Sequence, residues 1–202
     1  MSPSATVRPL LNALAAVQLV LDAWSERGVI IGGVAASLLG RPRYTADVDA
    51  VVLVSTEELP EFTAVTLQAG LMPRVPNAEA FARRNRVLLL RHAESGVDVD
   101  ISLGALPFEE QAVARATMVQ VSGLALRLVT PEDLIIMKAV AHRRQDMEDI
   151  QAVIERHPHL DRQRIRLWVQ QFAEVLEAPE LWTDIAGWLE PQPPPRPRRR
   201  RP

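Results

Sequence analysis

Cysteine is absent from the 202 residues, which excludes disulfides and thiolate zinc sites and suits a reducing compartment. Aromatic residues are scarce: four Trp, four Phe and one Tyr leave Leu, Val, Ala and Ile to fill the core. Long apolar runs are missing too. The best stretch, residues 10–21, is interrupted by Asn12 and Gln18 and followed by Asp22 and Glu26, and it lacks both a cationic start and a small-residue cleavage site. It reads as an amphipathic core helix, neither a signal peptide nor a membrane span, and a cytoplasmic location is expected. Two phosphate-binding signatures are absent. GGVAAS at 32–37 has no Gly-Lys-Ser/Thr of a P-loop after it, and its glycine spacing is wrong for a dinucleotide fingerprint. No internal repeat is visible.

What is present is a chain with 48% hydrophobic residues, ample for a core, and long enough for one compact domain with a helical appendage. The formal net charge of −2 is unevenly spread. Residues 191–202 hold five Arg and no acid, so removing them leaves −7 on residues 1–190. A mildly acidic body argues against a broad basic surface for nucleic acid, though not against a local groove. The end, Pro and Arg apart from Gln192, has nothing to bury and is expected to be disordered.

Along the chain, Leu10, Leu11, Leu14, Val17, Leu21 and Trp24 recur at helical steps and predict a first helix over 6–27, ended by Gly28. Residues 29–31 read as a short buried strand, Gly32 and Gly33 as a tight turn, and 34–39 as a helix stopped by Gly40 and Pro42. A second strand covers 46–54. A helix capped by Thr56 runs to about Gln68, and 70–80 reads as a weakly structured loop. Strands at 86–92 and 97–103 flank a Glu94-Ser95-Gly96 turn, with Val97, Val99 and Ile101 on one face and Asp98, Asp100 and Ser102 on the other. A helix at 107–116 and short strands around Gly123 follow. From Pro131 the period is helical: a helix capped by Thr130 and carrying Lys138 and Arg143, then helices near 146–156, 161–177 and 180–189. The fold class is therefore α/β with a mixed or antiparallel sheet (α+β in the broad sense), divided into a core at 1–129, a helical region at 130–190 and the tail at 191–202.

The chemistry concentrates at 28–54. Asp47 and Asp49, two apart on one strand, point to the same face about 7 Å apart, a span metal ions can bridge. Gly32-Gly33 before a helix lets backbone N–H groups approach a phosphate. Phosphoryl or nucleotidyl transfer needs such parts: donors and cations for a triphosphate, and hard carboxylate oxygens for a divalent ion pair. Asp98 and Asp100 share a face of a later strand, so alternation alone does not separate them as the third acid. A simple tight turn would explain the glycines alone. Two unpaired acids in a VVLV-like, central strand would cost several kcal/mol unless they meet cations.

IIGG at 30–33, thirteen residues, DVD at 47–49 and VDVDIS at 97–102 resemble the nucleotidyltransferase superfamily with the polymerase-β-like core. RPRYTADVDAVV at 41–52, GVDVDISLGALPFE at 96–109 and TPEDLIIMKAVAHRRQDMEDI at 130–150 look most like the small bacterial group that includes the AbiEii and MenT toxins. The resemblance covers about 28–155. It implies an enzyme that moves a nucleoside monophosphate from an NTP such as ATP to a hydroxyl, with Gly32 and Gly33 cradling the triphosphate. It implies two Mg²⁺ ions, with Mn²⁺ as the substitute, on Asp47, Asp49 and a third acid. Asp100 is favoured, because the Pro107-Phe108-Glu109 element follows it as in the family. Lys138 resembles a lysine that contacts nucleotide phosphates, and Arg43 is placed to do likewise. Asp146 and Asp149 match an RxxDxxD pattern and are read as holding Lys138 or Arg143 by ion pairing. An RNA or tRNA 3′ end or a protein hydroxyl is the implied acceptor, and an antitoxin protein the implied partner. The rival is a non-catalytic nucleotide- or partner-binding module of the same fold. The four Trp, and His157 and His159 around Pro158, read as packing and a helix-end turn. The Arg tail suits RNA, an anionic membrane, an acidic partner or plain solvation.

Overall fold

The computed structural model describes residues 8–190. The tail at 191–202, and residues 6–7 of the expected first helix, lie outside them. The chain opens with α1 (Arg8–Ala23), β1 (Gly28–Ile31), α2 (Gly32–Leu39) and β2 (Asp47–Leu53). Then come α3 (Leu59–Gln68), β3 (Leu71–Pro73), α4 (Ala78–Asn85), β4 (Val87–His92) and β5 (Asp98–Gly104). α5 (Pro107–Ala114) precedes the hairpin β6 (Thr117–Val121) and β7 (Leu124–Leu128), and α6 (Pro131–Ala141), α7 (Arg144–Arg156), α8 (Arg162–Val175) and α9 (Glu180–Leu189) follow. α6 starts at Pro131, where the apolar period of the sequence turns helical.

One seven-stranded mixed sheet has the order β3-β4-β5-β2-β1-β7-β6. β2 runs parallel to β5, and β1 parallel to β7, while the remaining neighbours are antiparallel. The acid-bearing strands β2 and β5 are thus central neighbours. Their apolar positions Val48, Ala50, Val52, Val99 and Ile101 are fully buried, with α1 packed on β2 and β7. The stripe on α1 foreseen from its periodicity buries Leu14, Val17 and Leu21, and Trp24 meets Phe62 of α3 edge to face at 5.2 Å. On the acid-bearing side, Val51 and Ser102 line a small cavity with Phe108 of α5, Met137 and Val140 of α6, and Phe172 of α8. Phe108 contacts Trp168 and Phe172 edge to face at 5.3 and 5.6 Å. Among the described residues no helix is long and apolar enough to cross a membrane.

Several boundaries differ from the sequence reading. Residues 70–80 are not a loop: β3 pairs with β4 at its edge, and α4 starts after Asn77, which takes the left-handed conformation at φ 51°. Short edge strands carry little alternation, and Pro73 masks this one. α1 stops at Ala23 because Ser25 and Glu26 are left-handed, so Gly28 begins the strand and does not end the helix. Thr56 lies in a turn, and Glu58 occupies the N-cap of α3. The helix carrying Lys138 ends at Ala141. His142 is left-handed at φ 50° and Arg143 is extended, which turns Arg143 out of the helix. Thr130 caps α6 as foreseen, accepting the Asp133 N–H at 3.2 Å.

Candidate active site

The register of the central strands sets the geometry. Asp49 lies opposite Asp100 and Asp47 opposite Asp98 on parallel β2 and β5, all on the face away from Val48 and Ala50. On the other side of β2, Asp49 lies opposite Ile31, the last residue before the glycine turn. Gly32 has φ +65°, and a Cβ there would stand 1.9 Å from Asp49 Oδ2, so both its conformation and the packing of Asp49 against it require glycine. A Cβ on Gly33 would reach Thr45 Oγ1 at 2.6 Å and Arg43 Nη2 at 3.5 Å. The Thr45 hydroxyl bonds Asp47 Oδ1 at 3.2 Å. The first turn of α2, the 43–45 loop and the acid face therefore meet at one place.

Crowding shows in the electrostatics. Burial, then the charge of Asp47, raises the Asp49 carboxyl above its ordinary value; the Gly33 N–H opposes this, Asp100 adds to it, and Arg143 opposes it. Asp100 is raised, chiefly by burial, with Asp47 and Asp98 adding and Arg74 opposing. Asp98 is lowered, first by its hydrogen bond from Arg91 and further by Arg74. Arg74 bridges Asp98 at 2.9 Å and Asp100 at 2.6 Å, and Arg91 holds Asp98 at 2.7 Å. Asp98 is thus committed to two arginines, whereas Asp100 faces Asp49 and shares one.

A chain of charges joins the glycine turn to the α6–α7 junction. Arg43 makes a two-pronged contact with Asp149, 2.9 Å on each side. Asp149 also meets Lys138 at 2.7 Å, Lys138 meets Asp146 at 2.8 Å, and Asp146 accepts from Arg143 Nε at 2.8 Å. Burial pushes the Asp146 carboxyl up, but the hydrogen bonds and charges of Lys138 and Arg143 outweigh it and hold it below the ordinary value. Lys138 is 7% exposed with both carboxylates on its ammonium. Its charge is shared between Asp146 and Asp149 in this arrangement. Arg143 is 77% exposed and feels the charges of Asp49 and Asp47. With Arg74 on Asp100, it is a second cation beside the acids. Sequence reading set it on a helix face because no glycine announces the break at His142.

Among the described residues no three acidic, histidine or cysteine side chains are gathered tightly enough to cage a metal ion as they stand, and Asp100 is turned to Arg74. The donor chemistry nevertheless fits a hard divalent cation: Asp47, Asp49 and Asp100 are carboxylates on one face whose mutual repulsion a dication would relieve. Arg74, unrecognised in the sequence because 70–80 read as a loop, already supplies positive charge there.

A family model described as "Nucleotidyltransferase of unknown function (DUF6036)" matches residues 9–161. No curated protein matches the chain. Among solved structures, the solution structure of the antibiotic-resistance factor ANT(2'')-Ia is similar at 15% identity over 86% of this chain and 98% of that one, with a TM-score of 0.52. The crystal structure of an antigenic nucleotidyltransferase-like protein from Paracoccidioides brasiliensis is similar at 18% identity over 92% and 93%, with a TM-score of 0.49. The likeness to the resistance factor is one of fold.

Proposed function

This chain belongs to the DUF6036 family of nucleotidyltransferases, and from that premise we propose that it transfers a nucleoside monophosphate from an NTP to a hydroxyl and releases pyrophosphate. The observation that supports this most is the Asp49–Asp100 register beneath a glycine turn that only glycine can make. Asp47, Asp49 and Asp100 would hold Mg²⁺, or Mn²⁺ in its place, which when bound lowers the pKa of the acceptor hydroxyl and neutralises the departing pyrophosphate. Gly32 and Gly33 present backbone N–H groups at the start of α2, where the helix dipole favours an anion. Arg43 stands beside Gly33 and Arg143 faces the acids, so the triphosphate is clamped from two sides. Lys138 positions both arginines through Asp149 and Asp146. Catalysis is then orientation and charge neutralisation.

The acceptor classes, an RNA or tRNA 3′ end or a protein hydroxyl, and a toxin role opposed by an antitoxin, rest on the resemblance at 41–52, 96–109 and 130–150. A panel of four NTPs with and without Mg²⁺, read by thermal shift, tests the donor half. Stabilisation that needs Mg²⁺ and is lost in Asp47→Asn supports transfer. Nucleotide binding indifferent to metal supports the non-catalytic module.

A further inference from the structure

One row of residues crosses the sheet at the level of the acids. Ile31 lies opposite Asp49, Asp49 opposite Asp100, and Asp100 opposite Leu89 of β4. Arg74, just past the end of β3, donates its backbone N–H to the Leu89 carbonyl at 3.1 Å and so closes the row at the sheet edge. Its guanidinium reaches past β4 to β5, where the fork spans both acids: Nη1 donates to Asp98 at 2.9 Å and Nη2 to Asp100 at 2.6 Å. Its Nε is buried and has no hydrogen-bond partner. Asp98 has a second cation, Arg91 at 2.7 Å, whereas Arg74 is the one ion-pair partner of Asp100 among the described residues. A bridge that merely tied β3 to β5 would be complete with Asp98. The other prong takes the carboxylate that lies beside Asp49, and among the described residues the acids form no ready metal cage while it does.

We propose that Arg74 is a positioning residue that occupies Asp100 until a divalent ion displaces it, which rests on Asp100 being a metal ligand as proposed above. Without metal the guanidinium stands in for the ion, neutralising a half-buried carboxylate that would otherwise only repel Asp47 and Asp49. It brings one charge through N–H donors, whereas a dication brings two charges and direct coordination by oxygen. An outer partner that supports a metal ligand makes the ligand more basic. A guanidinium does the reverse: its positive charge weakens the pull of Asp100 on a second cation. Arg74 and the metal are therefore rivals for Asp100. The Asp98 prong keeps the guanidinium beside the site, ready to return when the metal leaves.

The test is titration of the full chain with Mn²⁺, without nucleotide, read by loss of the free-ion EPR signal. Arg74→Gln is expected to bind Mn²⁺ about tenfold more tightly than the parent, because a partly exposed charged contact no longer competes. Arg74→Lys keeps a charge but has no fork, is expected to fall between them, and carries the test should Arg74→Gln not fold. Arg91→Gln takes an equal charge from Asp98 and none from Asp100, and is expected to stay within about twofold of the parent. In EDTA Arg74→Gln is expected to melt below the parent, with saturating Mn²⁺ narrowing the gap. Mn²⁺ affinity at or below the parent's in the Arg74 variants overturns the proposal, and so does an equal gain in Arg91→Gln, which would be an effect of net charge alone. Asp100→Asn separates this failure from that of the site. If it weakens Mn²⁺ binding while the Arg74 variants gain nothing, Asp100 is a ligand and only the rivalry falls. If it binds Mn²⁺ like the parent, Asp100 is no ligand and both readings fall.

Discussion

At Gly32 the backbone and a side chain compete for one space. A methyl group there would stand 1.9 Å from Asp49 Oδ2 in a left-handed conformation, and strain of that kind costs about 1–3 kcal/mol before any displacement. Gly32→Ala is expected to lower the melting temperature and, by shifting Asp49, to cut transfer by about 10²-fold; a variant with both intact would mean that the turn is mere packing. Asp49 itself is held at a cost. Burial first and Asp47 second raise its carboxyl, so the folded chain binds that proton more tightly than the unfolded one. The cost is absent below the unfolded carboxylate range, grows as pH rises through it, and is complete above the folded value. Asp49→Asn should therefore raise the melting temperature in EDTA at neutral pH, by about 2–4 °C for each kcal/mol released, and the gain should fade at acid pH while transfer is lost throughout. A melting curve unchanged at both pH values would contradict the crowding. Which acids share a face was legible in the alternation of 97–102. That Arg74 binds Asp98 and Asp100 was not, because it depends on an edge strand that residues 70–80 do not advertise.

The junction of α6 and α7 is where local signals and structure part most. Thr130, Pro131 and Asp133 announce the start of α6 in the sequence, and they form it. Its end at His142 carries no glycine, yet the left-handed residue there takes Arg143 out of the helix, where its charge is felt by Asp49. Lys138 and Arg143 should therefore fail in different ways. Lys138→Met takes the shared cation from buried Asp146 and Asp149 and leaves each with one arginine, a loss approaching the roughly 3–5 kcal/mol of a broken buried pair, and melting should fall. Arg143→Ala takes one of two cations from Asp146, so its melting is expected to fall less than that of Lys138→Met, while the KM for NTP rises about tenfold through loss of a charge-assisted contact. Asp146 is held below its ordinary value against its burial, so its stabilisation is present above the unfolded carboxylate range and is lost as pH falls through the folded value. The reverse pattern, a stable Lys138 variant with impaired NTP binding, would return the lysine to the phosphates.

At the scale of the molecule, strands distant in the chain become neighbours: β2 joins β5 across two helices, two strands and their loops, and β1 is flanked by β2 and β7. The class of fold and the helical end follow from composition and period, which leave the sheet either mixed or antiparallel. The strand order does not, because the pairing of Asp49 with Asp100, far along the chain, leaves no local trace. The long-range order is what makes a site of Gly32, Asp49 and Asp100, residues that mean little one at a time. The most direct test is transfer of label from α-labelled NTP to total RNA and to total protein, with Mg²⁺, comparing the parent chain with Asp47→Asn and Asp100→Asn. A nucleotidyl-transfer site predicts label on one acceptor class with the parent, none in EDTA, and a loss of about 10²-fold or more in both variants. Label that survives both substitutions, or that never appears while Mg²⁺-independent NTP binding persists, would contradict it.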